Sequence, residues 1–217
     1  MEWNFDNVTF NGKDLDRVQV DGVTVWENKL QFYDYLQGDG KAYIDTKYKM
    51  NYYDSIKTKI SVLQPSPNGA MSLMGYYDAT NGRVTLAFTL NGGTNMNSRW
   101  FNRVLQLGMQ ELNRIYELTY NKDGVSGDLN MTFEDSPVPS VTTTTGYLTL
   151  VRLSSSEQYS RGIIKLYYTQ FYDSQGNLIR DYRPCTYNGE AGLWDSVEGK
   201  FYGNANNTGT LTVGNDE

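Results

Sequence analysis

The sequence contains no histidine. That removes the usual general base near neutral pH and the commonest metal ligand. Ser–His–Asp and Cys–His nucleophilic arrangements are excluded with it. There is one cysteine, Cys185, so no intrachain disulfide can form, and a zinc site lacks its donor set. With nothing nearby to lower its pKa, Cys185 reads as a small buried apolar residue. Neither a P-loop nor a dinucleotide-binding glycine pattern occurs. No apolar run approaches the length needed to cross a bilayer, so no membrane partner is expected. The opening MEWNFDNVTF is polar and patterned as strand, without a secretory apolar region, so synthesis in a host cytoplasm without a signal peptide is expected.

The charge is also one-sided. Net charge is −6 and the pI about 4.8, with no clustered Lys/Arg face to hold a phosphate backbone, so nucleic acid is not an expected partner. Proline is scarce at 5 and long helical periodicity is absent, while Gly (21) and Tyr (18) are abundant among the 217 residues. That composition suits an all-β protein with many turns.

What is present is a rhythm of short strands and Gly/Asn/Asp turns. Asn11-Gly12 and Asp21-Gly22 are strong two-residue hairpin signals, flanked by alternating apolar residues: Val8 and Phe10, Val18 and Val20, Val23 and Val25. The pattern predicts a three-strand meander over 1–28. So small a piece buries too little apolar area to stand alone, and must lean on neighbouring subunits or on its own chain. After the short link at Asn28-Lys29, SIKTKISVL (55–63) alternates strictly, as a strand with one wet face does. YLTLVRL (147–153) and GIIKLYYTQFYD (162–173) are the strongest strand patterns, and NGGTNMNSR (91–99) reads as an irregular polar loop. GDLNMTF (127–133) reads as the return strand of a hairpin, and Pro184 as a strand end. Many strands at regular spacing predict a sandwich or barrel.

Two stretches resemble known families. YLQGDGKAYIDTKYK (35–49) and the closing KLYYTQFYDSQGNLIRDYRPCTYNGEAGLWDSVEGKFYGN (165–204) resemble concanavalin A-like jelly-roll domains of phage and prophage structural proteins. The closing marks are Arg180, Asp181, Tyr182, Pro184 and Cys185, then Gly192-Leu193-Trp194-Asp195, then Gly199-Lys200-Phe201-Tyr202. The opening hairpins resemble a short module of phage tail and virion proteins, carried by Phe10-Asn11-Gly12, Asp21-Gly22-Val23 and Val25-Trp26-Glu27. The resemblance implies an all-β fold: a small β docking module (1–28) followed by a concanavalin A-like, lectin-like jelly-roll β-sandwich (29–217). It implies a non-enzymatic bacteriophage virion protein, such as a head-fibre, decoration, tail-fibre or baseplate component. Other virion proteins are the partners it implies, with a homotrimer the common arrangement among such relatives. Val8, Phe10, Val18, Val20, Val23, Val25 and Trp26 would supply the docking face.

Two roles for the sandwich stay open, host-surface glycan adhesion and purely structural assembly; an exposed aromatic–polar cleft would favour the first. Aromatics stack on sugar rings while Asn, Asp and Arg supply hydrogen bonds. The candidate cluster is Asn95, Asn97, Arg99 and Trp100, facing Tyr76, Tyr77 and Asp78; Trp100 and Phe101 as plain core is the competing reading. A glycoside hydrolase is the lesser alternative. Related glucanases carry a glutamate-x-aspartate-x-x-glutamate strand, and none occurs here. No catalytic or metal-ligating set is therefore assigned and no cofactor is expected. Calcium alone stays open, because Asn121, Asp123 and Asp128 surround a Gly-containing turn, although a plain hairpin fits that spacing better.

Overall fold

The computed structural model describes residues 9–10, 13–14, 17–20, 23–27, 29–64, 71–78, 82–89, 95–101, 103–109, 111–133, 139–151, 162–205 and 208–216. Every regular element among them is a strand. In chain order these are β1 Thr9–Phe10, β2 Lys13–Asp14, β3 Arg17–Val20, β4 Val23–Glu27, β5 Leu30–Phe32, β6 Tyr35–Gly38, β7 Ile44–Asp45, β8 Ser55–Gln64, β9 Met71–Asp78, β10 Gly82–Thr89, β11 Asn95–Trp100, β12 Arg103–Met109, β13 Ile115–Asn121, β14 Gly124–Gly127, β15 Met131–Thr132, β16 Thr149–Leu150, β17 Ile163–Tyr172, β18 Leu178–Tyr187, β19 Glu190–Asp195, β20 Lys200–Tyr202 and β21 Leu211–Gly214.

Strands flank both hairpin dipeptides of the opening stretch, but they form two separate ladders, β1 with β2 and β3 with β4. The expected three-strand meander is thus corrected to four short strands. Lys13–Asp14 carries no apolar alternation, so its pairing leaves no periodic trace. Val8 lies outside the described residues. So do the side chains of Phe10, Val18, Val20, Val23, Val25 and Trp26, whose backbones lie in β1, β3 and β4.

The rest is the β-sandwich that the strand rhythm predicts. One sheet has six strands in the order β12-β11-β10-β9-β16-β7. The larger has eleven, running β15-β14-β13-β8-β17-β18-β19-β20, with β6 also beside β17, β21 beside β6, and β5 beside β18. One apolar core joins residues of both sheets. On β8 the period of two is clean: Ile56, Thr58, Ile60 and Val62 are buried while Lys57 and Lys59 are not. Trp100 of β11 bridges the sheets. Its ring centroid lies 4.8 Å from that of Tyr120 on β13, and its Nε1 donates to the Tyr52 carbonyl at 2.9 Å. The Tyr120 hydroxyl donates to the Arg99 carbonyl. At the other end the Tyr182 hydroxyl donates to the Thr46 carbonyl at 3.1 Å.

The strand boundaries correct four expectations. The polar loop read over 91–99 is a strand from Asn95 onward, paired with β10 and β12. The polar content reads as a loop, but the ladder is made by backbone N–H and C=O groups, which polar residues carry as well as apolar ones. Among the described residues of 147–153, strand pairing is confined to Thr149–Leu150, and Val151 takes a φ of 71°, a conformation a β-branched residue rarely adopts. The return strand read over 127–133 is split, with β14 ending at Gly127 and β15 confined to Met131–Thr132. Asp128 leaves the ladder because its N–H donates to the Glu117 carbonyl at 3.0 Å while its Oδ2 accepts the Glu117 N–H at 2.7 Å. Finally, Pro184 does not end a strand; β18 runs through it to Tyr187.

Trp100→Ala should destabilise the chain by about 3–5 kcal/mol in urea-monitored unfolding, the usual cost of emptying a buried aromatic site. A loss below about 1 kcal/mol would mean the indole is not a core element.

Candidate functional site

The larger sheet forks at β17. Along one edge β17 pairs with β8 over its whole length. Along the other it pairs with β6 through Ile164–Leu166 and with β18 through Thr169–Tyr172. The change of neighbour falls at Tyr167 and Tyr168. On the β8 side Leu166 faces Ile60 and Tyr168 faces Lys59, so Tyr167 is one residue too many and the strand bulges. The bulge shifts the alternation. Ile164 and Leu166 point into the core before it, Thr169 and Phe171 after it, and all four are at most 1% exposed. The two tyrosines between them therefore share the outer face.

A groove of about 670 Å³ opens over this fork. Tyr167 and Tyr168 form its floor with Lys59 of β8. Phe32, Tyr33 and Asp34, which lead from β5 to β6, form one wall; Arg183 and Pro184 of β18 form another, and Asp216 closes it. The Tyr33 N–H donates to the Pro184 carbonyl at 3.0 Å across the fork. Phe32 is 52% exposed, an uncommon placing for a phenylalanine next to a cavity.

The side chains of the groove are held in place by their neighbours. The Arg183 guanidinium lies 5.0 Å from the Tyr168 ring centroid, and its Nε donates to Asp181 Oδ1 at 2.8 Å. The Lys59 ammonium lies 5.1 Å from the Tyr167 centroid. Asp34 Oδ2 accepts the Asp216 N–H at 3.0 Å, and the Asp34 N–H donates to Asn215 Oδ1 at 3.1 Å. Lys165 Nζ lies 2.8 Å from Asp216 Oδ1 and over the Tyr35 ring. That Lys165 hydrogen bond holds the Asp216 carboxyl below the usual carboxylate range. Burial, then a hydrogen bond to Asp216, pushes the Tyr167 phenol up; burial and Glu117 do the same for Tyr168. The outer row continues sideways in register: Glu117 beside Lys59, Lys59 beside Tyr168, then Arg183 beside Trp194 and Trp194 beside Phe201.

The residues singled out from sequence do not line this groove, and two of them, Trp100 and Arg99, face opposite ways. Trp100 is fully buried between the sheets, so it is corrected from sugar platform to core. Tyr76, Val84 and Trp100 share one row of the smaller sheet, while Arg99 lies in the adjacent row with Gly75 and Thr85, and alternation turns it to the opposite face. The Tyr76 hydroxyl bonds Thr145 Oγ1. Tyr77 and Asp78 lie on β9, and Asn95 and Asn97 on β11; their side chains are outside the described residues. At the turn weighed for calcium, Asn121 Oδ1 accepts the N–H groups of Asp123 and Gly124, Asp123 Oδ1 meets Lys122 Nζ, and Asp128 Oδ2 accepts the Glu117 N–H. Among the described residues no three His, Cys, Asp or Glu groups converge as a metal site.

No protein-family model and no curated protein matches the chain. Solved structures with a similar trace include a Trypanosoma rangeli sialidase in complex with 2,3-difluorosialic acid. It is 13% identical over 66% of this chain and 26% of that one, with a TM-score of 0.45. The carbohydrate-binding module CBM66 from Bacillus subtilis is 10% identical over 64% of this chain and 91% of that one, with a TM-score of 0.35. The chain thus spans about a quarter of the sialidase's length. Likeness of this order carries no ligand or activity over to this chain.

Two measurements test this geometry. Cys185 is fully buried, and burial pushes its thiol up to about 12. A thiol reagent at pH 8 should leave the native chain unlabelled and modify one thiol after unfolding; fast native labelling would contradict the packing. Asp216 gives a pH signature whose sign follows from its lowered pKa. The stability it contributes is present above its unfolded value of 3.8 and is lost as pH falls through the lower folded value. The hydrogen-exchange protection factor of the Asp216 amide, corrected for the intrinsic rate at each pH, should therefore fall on acidification before that of core amides such as Leu118. Lys165→Met should move that opening to higher pH; an unchanged profile would mean the ion pair does not hold the tail.

Proposed function

We propose that this chain is a non-enzymatic, glycan-binding surface protein of a phage particle, carried by residues 1–28 and displaying the sandwich of 29–217. The observation that carries the binding reading is the groove over the β17 fork. It joins one exposed aromatic ring, Phe32, and the half-buried Tyr33 and Tyr168 to fixed polar groups on a sheet, the combination a stacked sugar ring uses. The virion placement rests on the sequence resemblance of residues 8–27, 35–49 and 165–204. Binding rather than hydrolysis is favoured by the carboxylates. A glycosidase needs one carboxyl kept protonated as the acid. Asp216 is instead held ionised by Lys165. Asp54, whose carboxyl burial pushes up, accepts from the Tyr48 hydroxyl and the Asn51 N–H and does not line the groove. The competing reading, a purely structural assembly protein, would call for a flat apolar outer face in place of a cleft.

The test is binding of the full chain to a glycan array, beside Tyr168→Ala. The variant should lose at least tenfold in affinity, about 1.4 kcal/mol, while its melting temperature stays near that of the parent. No reducing ends should be released from any bound glycan. Absence of saturable binding would move the assignment to assembly; a variant that binds as well as the parent would remove the groove as the binding site. For the N-terminal stretch, particles made with a chain lacking residues 1–28 should lack the protein; full incorporation would remove the docking role.

A further inference from the structure

We infer that the groove takes a carboxylate-bearing, uronic-acid-type oligosaccharide, with its carboxylate between Lys59 and the Arg183 guanidinium that lies over Tyr168. The inference rests on the glycan-binding reading and adds the charge class of the ligand. It comes from an inventory of the groove. Its acidic groups are already engaged: Asp216 by Lys165, Tyr167 and its own backbone link to Asp34, and Asp34 by that link. Its basic groups keep donors to spare. Lys59 meets a tyrosine face and feels Glu117 and Asp216 at longer range, but no carboxylate lies within ion-pair distance of it among the described residues. Arg183 pairs through Nε with Asp181, keeps 40% of its side chain exposed, and has no further hydrogen bond from its terminal nitrogens among the described residues. A groove in a chain of net charge −6 thus presents two cations with free donors.

The placement of these cations suits a planar anion on a ring. Lys59 lies opposite Tyr168 in register on one side, and Arg183 lies over the same tyrosine from the other. Strands are about 4.8 Å apart, so a carboxylate lying between β8 and β18 is within reach of both. The guanidinium's two terminal nitrogens match a carboxylate end-on, a charge-assisted contact roughly twice as strong as a neutral hydrogen bond. The row then runs on through Trp194 to Phe201. From β17 to β20 that is about 14 Å at the usual strand spacing, longer than one ring, so the ligand is an oligosaccharide.

The test titrates the full chain with galacturonate and glucuronate oligosaccharides, their methyl esters, and a neutral galacto-oligosaccharide of the same length. At least one free acid should bind tenfold or more tighter than its ester, and 0.5 M salt should erode that preference. Arg183→Gln should abolish the preference and Lys59→Gln reduce it; the second removes no hydrogen bond of the fold, so it stays informative if the first unfolds. Equal binding of acid and ester would overturn the charge assignment and leave glycan binding standing. Binding of the neutral oligosaccharide alone would do the same. No binding by any of the probes, with no binding on the glycan array, would end both readings.

Discussion

One extra residue in β17 organises the outer face of this sandwich. Without the bulge at Tyr167, strict alternation would send Tyr168 into the core and leave a single tyrosine outside. With it, two consecutive aromatic rings face outward at the place where β6 gives way to β18. The same fork explains Pro184. A proline inside a strand needs a site where its missing N–H has no ladder partner. On the fork side β18 pairs with β17 up to Tyr182 and with β5 from Cys185, so Arg183 and Pro184 fall in the gap. There the Pro184 carbonyl receives the Tyr33 N–H instead. Bulge, fork and proline are one arrangement, and the groove is what it leaves open.

A second layer fixes the groove's arginine from below. Asp195 is fully buried, its Oδ1 accepts the N–H groups of Asp181 and Val197, and Arg180 Nε lies 3.4 Å from its Oδ2. A buried carboxylate is tolerated only when such partners surround it. They hold the β18–β19 corner, and with it Asp181, whose carboxylate accepts from Gln170 Nε2, Ser196 Oγ and Arg183 Nε. The guanidinium that lies over Tyr168 is therefore anchored through two carboxylates to the sandwich interior. Preorganisation of this kind reduces the ordering cost that a surface arginine would otherwise incur on binding.

The sandwich was legible where one rule decides the outcome. The alternation of Ile56, Thr58, Ile60 and Val62 predicts β8, and the Asp173–Gly176 turn between β17 and β18 follows from its Asp and Gly, with Gly176 at a φ of 83°. The site was not legible, because it depends on pairing rather than on local pattern. The adjacent tyrosines in KLYYTQF are the one visible trace of the bulge, since strict alternation seldom places two large aromatics in succession on a half-buried strand. Which face they share depends on Lys59 and Ile60 of a distant strand. Trp100 was misplaced in the sequence-based cluster for a related reason. Polar residues next to Trp100 suggest a binding loop, yet in β11 alternation separates them: the indole goes inward and Arg99 outward.

The groove also shows how a chain without histidine can still present a specific polar site. Charge at and around it is paired within the fold: Asp216 with Lys165 and Arg183 with Asp181 at the groove, Lys57 with Glu117 and Arg180 with Asp195 and Glu198 beyond it. Exposed pairs of this type add little stability. Their effect is to set which charges remain. Lys57 draws Glu117 toward itself, so the neighbouring Lys59 is left to the face of Tyr167. Lys165 takes Asp216, so the carboxylate nearest the groove's mouth repels an anionic ligand less than a free one would. Pairing on the flanks is what leaves Lys59 and the terminal nitrogens of Arg183 without a carboxylate partner among the described residues, and the charge discrimination proposed for the groove needs no group that titrates.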